Sequence, residues 1–299
     1  MKRKILFFIN PISGTRNKLQ LEKKIIKKCE GRKISFEILY TAKEGNYAFL
    51  KEKLAWDEIT DVVICGGDGS LRPVISAVLG LKVNIGIIPL GSGNGLAFTA
   101  KISSTVDKAL EVIFNGKTSR IDAFFINNTL SCMLSGIGLD ALVAYGFSLQ
   151  KKRGLFTYIK LSLKTFLTAK PYPFELQIQD TNLNLEAYFI SIANSNQFGN
   201  NFTIAPEASL SDGLLDIVVV KKMNKLLIPW SVFRQMKTGK ITRNTKEEFS
   251  KNYILYLQAK KIRILNPQMA PLHIDGDYAE TSMEFKIEIL PAAYDLLVP

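Results

Sequence analysis

Up to Arg120 the chain alternates short apolar runs with stretches of helical spacing. The runs Lys4–Ile9, Ser35–Tyr40, Asp61–Cys65 and Asn84–Ile88 have the length and apolar density of buried strands. Between them, Asn17–Cys29, Tyr47–Ala55 and Pro73–Leu79 have the spacing of helices that cover a sheet. Strand and helix taken in turn predict an α/β layer structure with parallel pairing. Beyond Arg120 the texture changes to apolar segments with strand alternation and Asn/Gly turns: Ala123–Ile126, Leu130–Leu134, Glu175–Gln179, Ala187–Ala193, Leu215–Val220, Ile262–Leu265 and Met283–Ile289. Such a series predicts a mainly antiparallel β domain, interrupted by helical stretches at about Ala141–Thr168 and Pro229–Lys237.

The expected architecture is therefore an α/β, Rossmann-like N-terminal domain over residues 1–122 and a mainly antiparallel β-sandwich over 123–290, with 291–299 returning toward the first domain. No Ser/Gly linker separates the two halves, so they are expected to abut, and a cleft between them is the expected site.

Composition narrows the class. With 299 residues, 47% of them hydrophobic, two cores can be buried. The apolar stretch Ile5–Ile9 is too short for a signal-peptide core, and no run of about 18 apolar residues predicts a membrane span. The expectation is a cytoplasmic protein, at most peripherally associated with a membrane. Cys29, Cys65 and Cys132 are odd in number and widely spaced, which argues against disulfides and a zinc site. A net charge of +12 implies an anionic partner: nucleic acid, anionic lipid headgroups or a polyphosphate.

Two glycine-rich turns carry the chemistry. Gly66-Gly67-Asp68-Gly69-Ser70 ends one apolar strand and opens a helix; Pro89-Leu90-Gly91-Ser92-Gly93-Asn94-Gly95 does the same one strand later. Glycine at such a joint lets backbone amides approach a phosphate, although any tight β–α turn also uses it. Two such turns on neighbouring parallel strands are far more specific, because both would lie at the edge where open α/β sheets bind ligands. Asn10-Pro11-Ile12-Ser13-Gly14 would converge on the same edge. Neither a Walker motif nor a GxGxxG fingerprint is present.

In order and spacing, NPISG, GGDGS and PLGSGNGLA resemble the diacylglycerol kinase catalytic superfamily, which includes sphingosine and ceramide kinases. The resemblance continues through SGIGLDALVA (Ser135–Ala144), ANSNQFGN (Ala193–Asn200), APEASLSDGLLDIVVV (Ala205–Val220), HIDGDY (His273–Tyr278) and LPAAYDLLVP. It implies an ATP- and Mg²⁺-dependent kinase that phosphorylates a hydroxyl of diacylglycerol, a sphingoid base or a related lipid. The nucleotide-binding residues it implies are Asn10, Thr41, Gly66, Gly67, Asp68, Gly69, Ser70, Ser92 and Asn94. Its late acidic motif falls on Asp275-Gly276-Asp277, so Asp277 or Asp275 is the expected proton acceptor, and Asp68 is expected to hold or orient the metal ion. A structural metal in some relatives maps to Ser211, Leu214 and Asp216, where a plain β-turn is the alternative.

Three departures from the family pattern stand out: Arg72-Pro73 where relatives read Asn-Glu, GSGNG in place of GTGND, and Asp277 in place of a glutamate one methylene longer. The alternatives are accordingly a catalytically impaired nucleotide- or lipid-binding pseudokinase and an NAD kinase-like enzyme. His273, the only histidine, leaves no multi-histidine metal site; it either tunes the neighbouring acid or simply fills a strand. The expected partners are a lipid substrate and a membrane surface, with Lys221–Arg243 and Lys151-Lys152-Arg153 as basic contact segments. An exposed sheet edge would support a homodimer. No nucleic acid is expected, since no recognition motif accompanies the charge.

Overall fold

A computed structural model describes residues 2–14, 17–41, 47–150, 155–179, 181–197, 204–223 and 252–299. Two compact units are formed, one by Met1–Asp122 with Ala292–Pro299, the other by Ala123–Pro291. The helix expected at Pro229–Lys237 lies outside the described residues.

In the first unit β1 (Lys4–Ile9), β2 (Ser35–Tyr40), β3 (Asp61–Gly66) and β4 (Asn84–Pro89) pair in parallel in the order β2-β1-β3-β4. Residues 5–9 of β1 and all of β3 are buried, as strands covered on both faces must be, and this is why they read as unbroken apolar runs rather than alternations. Helix α1 (Lys18–Gly31) starts where Asn17 Oδ1 accepts the Leu19 N–H (3.0 Å) and buries Leu21, Ile25 and Cys29, one per turn. Helices α2 (Leu50–Trp56), α3 (Leu71–Val78), α4 (Gly95–Thr99) and α5 (Val106–Asn115) complete the layers. Arg3 grips buried Asp61 through two bonds of 2.9 Å, a bidentate pair that assigns this acid to structure. The unit closes when Asp122 Oδ1 accepts the Ala292 N–H (2.7 Å) and Asp295–Leu296 add a parallel strand beside β4.

The second unit is a mostly antiparallel β-sandwich. Strand β9 (Thr181–Ala193) is its spine: its first half pairs with β8 (Tyr172–Ile178), its second with β7 (Leu134–Gly138) and β10 (Leu215–Lys221). β11 (Ile254–Ala259) pairs with β10, and β12 (Lys261–Leu265) lies between β8 and the first part of β15 (Glu284–Val298). Ile190, Ile192, Ile217, Val219, Ile264, Phe285 and Ile287 are among the residues of its core.

Expectation and structure differ in local ways. The stretch Leu130–Leu134 divides into β6 (Thr129–Ser131) and β7, with Cys132 and Met133 turning between them. The long helical stretch is two helices, α6 (Leu139–Ser148) and α7 (Leu155–Thr168). α5 and β11 were not among the expected elements, although Thr105 and Gly116 bound α5.

Candidate functional site

The order β2-β1-β3-β4 reverses direction between β1 and β3, the switch point where open α/β sheets leave a crevice beyond the carboxyl ends of their strands. Asn10 stands at the end of β1. Its N–H donates to the Cys65 carbonyl (2.9 Å), its Oδ1 accepts from Ile12 N–H (3.0 Å), and its Nδ2 donates to Ser70 Oγ (2.8 Å). The first turn is thereby tied to the second across the switch point.

The second and third turns meet backbone to backbone. A Cβ on Gly91 would lie 2.6 Å from the Gly67 Cα, and one on Gly67 would lie 3.0 Å from the Gly91 Cα. Gly14, at φ +60°, presses against the Leu90 carbonyl, where a Cβ would come within 2.0 Å of the oxygen. Asp68 Oδ2 accepts the Gly95 N–H at 3.1 Å, linking the GGDGS turn to the start of α4. By contrast, a Cβ on Gly69 would meet nothing within 4 Å, and this glycine is exposed. Its missing side chain keeps space open rather than relieving a protein contact.

The structure brings Asn10, Gly66, Gly67, Asp68, Ser70 and Asn94 into this cluster. Asn94, at φ +57°, uses both ends of its amide on Gly91, accepting its N–H (2.9 Å) and donating to its carbonyl (2.8 Å). Its part is to shape the turn. Ser92 is exposed at the turn's tip, and Thr41 follows β2 with its N–H on the Ile9 carbonyl (2.9 Å). Arg72 and Pro73 occupy the first turn of α3, where a proline removes no helical hydrogen bond.

In the second unit, β13 (Leu272–Ile274) and β14 (Asp277–Ala279) form a hairpin around Asp275-Gly276. Asp275 and Asp277 have opposite environments. Asp275 is buried at φ +52°, and its carboxylate gathers Ser131 Oγ (2.7 Å) and the N–H groups of Cys132 (2.9 Å), Met133 (3.0 Å) and Leu134 (3.2 Å). That is an anchor for the turn between β6 and β7. Asp277 is exposed.

The residues of the metal expectation lie in and after the turn that precedes β10. Asp216 is fully buried; its Oδ1 accepts from the Tyr256 hydroxyl and from Gln258 Nε2 (2.8 Å), while Oδ2 has no hydrogen-bond partner among the described residues. Burial, reinforced by the charges of Asp212 and Glu207, holds its carboxyl above the usual carboxylate range. Ser211 is exposed, and Leu214 gives its N–H to Asp212 Oδ1 (3.1 Å). Asp216 thus keeps one buried carboxylate oxygen that a cation could take, although among the described residues no cluster of three acidic, histidine or cysteine side chains surrounds it; Asp212, which the sequence did not single out, shapes this turn. A groove of about 770 Å³ on the sandwich contains Lys261, Arg263 and Lys286. These cations pair with Glu288 and Glu284.

Glycine turns gathered at the switch point of an α/β unit, followed along the chain by an antiparallel sandwich, are the two parts that the lipid kinase class combines. Residues 4–126 match the diacylglycerol kinase catalytic domain, and residues 134–298 match the YegS C-terminal NAD kinase beta sandwich-like domain. The chain belongs to the diacylglycerol kinase family. It is 28% identical over 259 residues to the Shewanella frigidimarina protein named "Probable lipid kinase YegS-like", covering 84% of this chain and 80% of that one. It is also 24% identical over 282 residues to a diacylglycerol kinase of Staphylococcus epidermidis, covering 93% and 87%. In fold it is similar to the crystal structure of a diacylglycerol kinase from Bacillus anthracis str. Sterne, with a TM-score of 0.74, 19% identity and coverage of 99% and 97%.

Proposed function

We propose that this protein transfers the γ-phosphoryl group of ATP to a hydroxyl of diacylglycerol, a sphingoid base or a related lipid. The observation that carries this reading is the mutual contact of three glycine turns at the switch point, with Gly69 left open toward the space beyond them. Gly66, Gly67, Gly69 and Ser70 would face the nucleotide phosphates, with Asn10, Asp68 and Asn94 holding the turns in register. Thr41 and Ser92 stand at the strand and turn ends nearby.

In the proposed reaction Asp277 accepts the proton of the lipid hydroxyl as its oxygen bonds to the γ-phosphorus. The bond to the β-phosphate oxygen breaks, and ADP leaves with that electron pair. Asp275 is committed to its four donors, so the assignment goes to Asp277. A bound Mg²⁺ supplies charge neutralisation on the phosphates. Asp68, an acid within the phosphate turn, suits it; Asp216 suits a second, structural cation.

The substrate is a lipid, and α7 offers a surface to meet it. Tyr158 and Phe166 point inward, their rings edge-on to Phe147 and Tyr188. Phe156, Ile159, Leu163 and Leu167 form an exposed apolar stripe with Lys160 and Lys164 along its flank. Such a face fits an anionic bilayer. Among the described residues no helix is long and apolar enough to cross a membrane. The basic segments 151–153 and, beyond Met223, 224–243 lie outside the described residues.

The test is transfer of labelled phosphate from ATP into a panel of diacylglycerols, sphingoid bases and NAD by the wild type and by Asp277→Asn. Labelling of a lipid by the wild type and its loss in the variant is the expected result. Nucleotide binding without transfer would identify a pseudokinase, and labelled NAD would move the protein to another acceptor class.

A further inference from the structure

His273 is completely buried on β13, two residues before Asp275. Its Nδ1 accepts the Gly276 N–H at 3.2 Å, so the ring proton is on Nε2. Nε2 lies 3.1 Å from Oδ2 of Asp140, itself buried in the first turn of α6. The imidazole thus accepts from the hairpin on one side and on the other lies beside a carboxylate, at ion-pair distance but not aligned as a hydrogen bond.

Gly136 leaves the room for this contact. It pairs with His273 across β7 and β13, and a Cβ there would lie 2.1 Å from Asp140 Oδ2 and 2.6 Å from His273 Nε2. Any larger residue would separate the pair. The spacing of glycine, acid and histidine is thus one arrangement contributed by three elements.

The hairpin shows what the arrangement acts on. Asp275 is fixed by its four donors, and Gly276 sits at φ +87°, where a bond to its N–H limits the direction of the next residue. That next residue is Asp277. A proton cannot pass along this route, because the nitrogen facing the hairpin meets an amide N–H and not a titrating group. We propose that His273 is a positioning residue for Asp277: through Nδ1 it holds Gly276 and so sets the direction of the Asp277 carboxylate, while the buried Asp140 carboxylate lies 3.1 Å from the other ring nitrogen. The proposal rests on Asp277 being the proton acceptor.

Two substitutions separate the two sides of the ring. His273→Asn places a carbonyl oxygen near the position of Nδ1 and keeps an acceptor for Gly276. His273→Gln extends toward Asp140 but gives up that acceptor. The glutamine variant is expected to lose about 10- to 100-fold in kcat with KM for ATP unchanged, since a small misplacement of a reacting group has effects of this size. The asparagine variant is expected to recover most of that loss. Exchange of the Gly276 amide with deuterium should accelerate in the glutamine variant and not in the asparagine variant, and melting temperatures identify any loss due to unfolding.

Equal losses in both variants, or a loss in KM rather than kcat, would overturn the proposal. So would wild-type kcat in His273→Gln when Asp277→Asn is inactive. If Asp277→Asn itself works at the wild-type rate, the proton-acceptor reading fails first and this proposal falls with it.

Discussion

Asp68 Oδ2 accepts the Gly95 N–H at 3.1 Å, joining the turn after β3 to the helix after β4. An acid in a phosphate loop would repel the phosphates unless its charge had another use. One oxygen braces the neighbouring turn, and the charge as a whole is suited to a cation carried in with the nucleotide.

These two roles can be separated with Asp68→Asn. An asparagine keeps an oxygen for Gly95, so the melting temperature should change little. Activity should fall by about 100-fold or more, the scale on which charged groups act in such sites. A variant with near-normal kcat would remove Asp68 from the metal's surroundings.

Gly91 and Gly69 should behave oppositely. Gly91→Ala puts a methyl 2.6 Å from the Gly67 Cα and 2.9 Å from Asn94 Oδ1, forcing the two turns apart. Overpacking of this kind costs about 1–3 kcal/mol, measurable by denaturant unfolding. Gly69→Ala meets no protein atom, so its unfolding free energy should stay within about 0.5 kcal/mol of the wild type. Its ATP affinity, measured by calorimetry, should nevertheless drop, because the open space is where the phosphates are expected.

Asp216 provides a pH and metal prediction with a definite sign. Its folded-state pKa is raised, so the native protein holds this proton more tightly than the unfolded chain. The group's favourable contribution is complete below the ordinary carboxylate pKa and disappears as pH rises through the folded value. At neutral pH with chelator present, Asp216→Asn should therefore melt at or above the wild-type temperature. Added Mg²⁺ should raise melting of the wild type and not of the variant. An identical Mg²⁺ response in both would place the cation elsewhere.

The α7 stripe predicts a separation of surface binding from chemistry. Phe156→Ser combined with Leu163→Ser removes two exposed apolar side chains that contribute no core packing. Sedimentation with anionic vesicles should weaken by about tenfold or more, given the apolar area withdrawn from the bilayer. Turnover of a dispersed short-chain lipid should be unaffected. Unchanged vesicle binding would exclude this face as the docking surface.

Much of the site was legible in the chain because its chemistry is local. A glycine turn directly between an apolar run and a helix announces a backbone conformation and an open approach, and three of them could be read in sequence. Asn94 shows the limit of such reading: its place in the turn was visible, but not that both ends of its amide close on Gly91. Asp212 was not singled out because the Asp-Gly signal at 212–213 announces a turn without showing that this carboxylate takes the Leu214 N–H.

The linear order of residues determined the alternation of strand and helix, the later strand-rich unit and the places of the glycine turns, since all of these depend on neighbours a few positions apart. Only the tertiary structure decided that Gly67 touches Gly91, because that contact exists only once β3 and β4 lie side by side. It also distinguished Asp275 from Asp277, two like acids two positions apart. One turns inward onto the amides of residues 132–134 and the other faces water, a difference made by segments more than a hundred residues away in the chain.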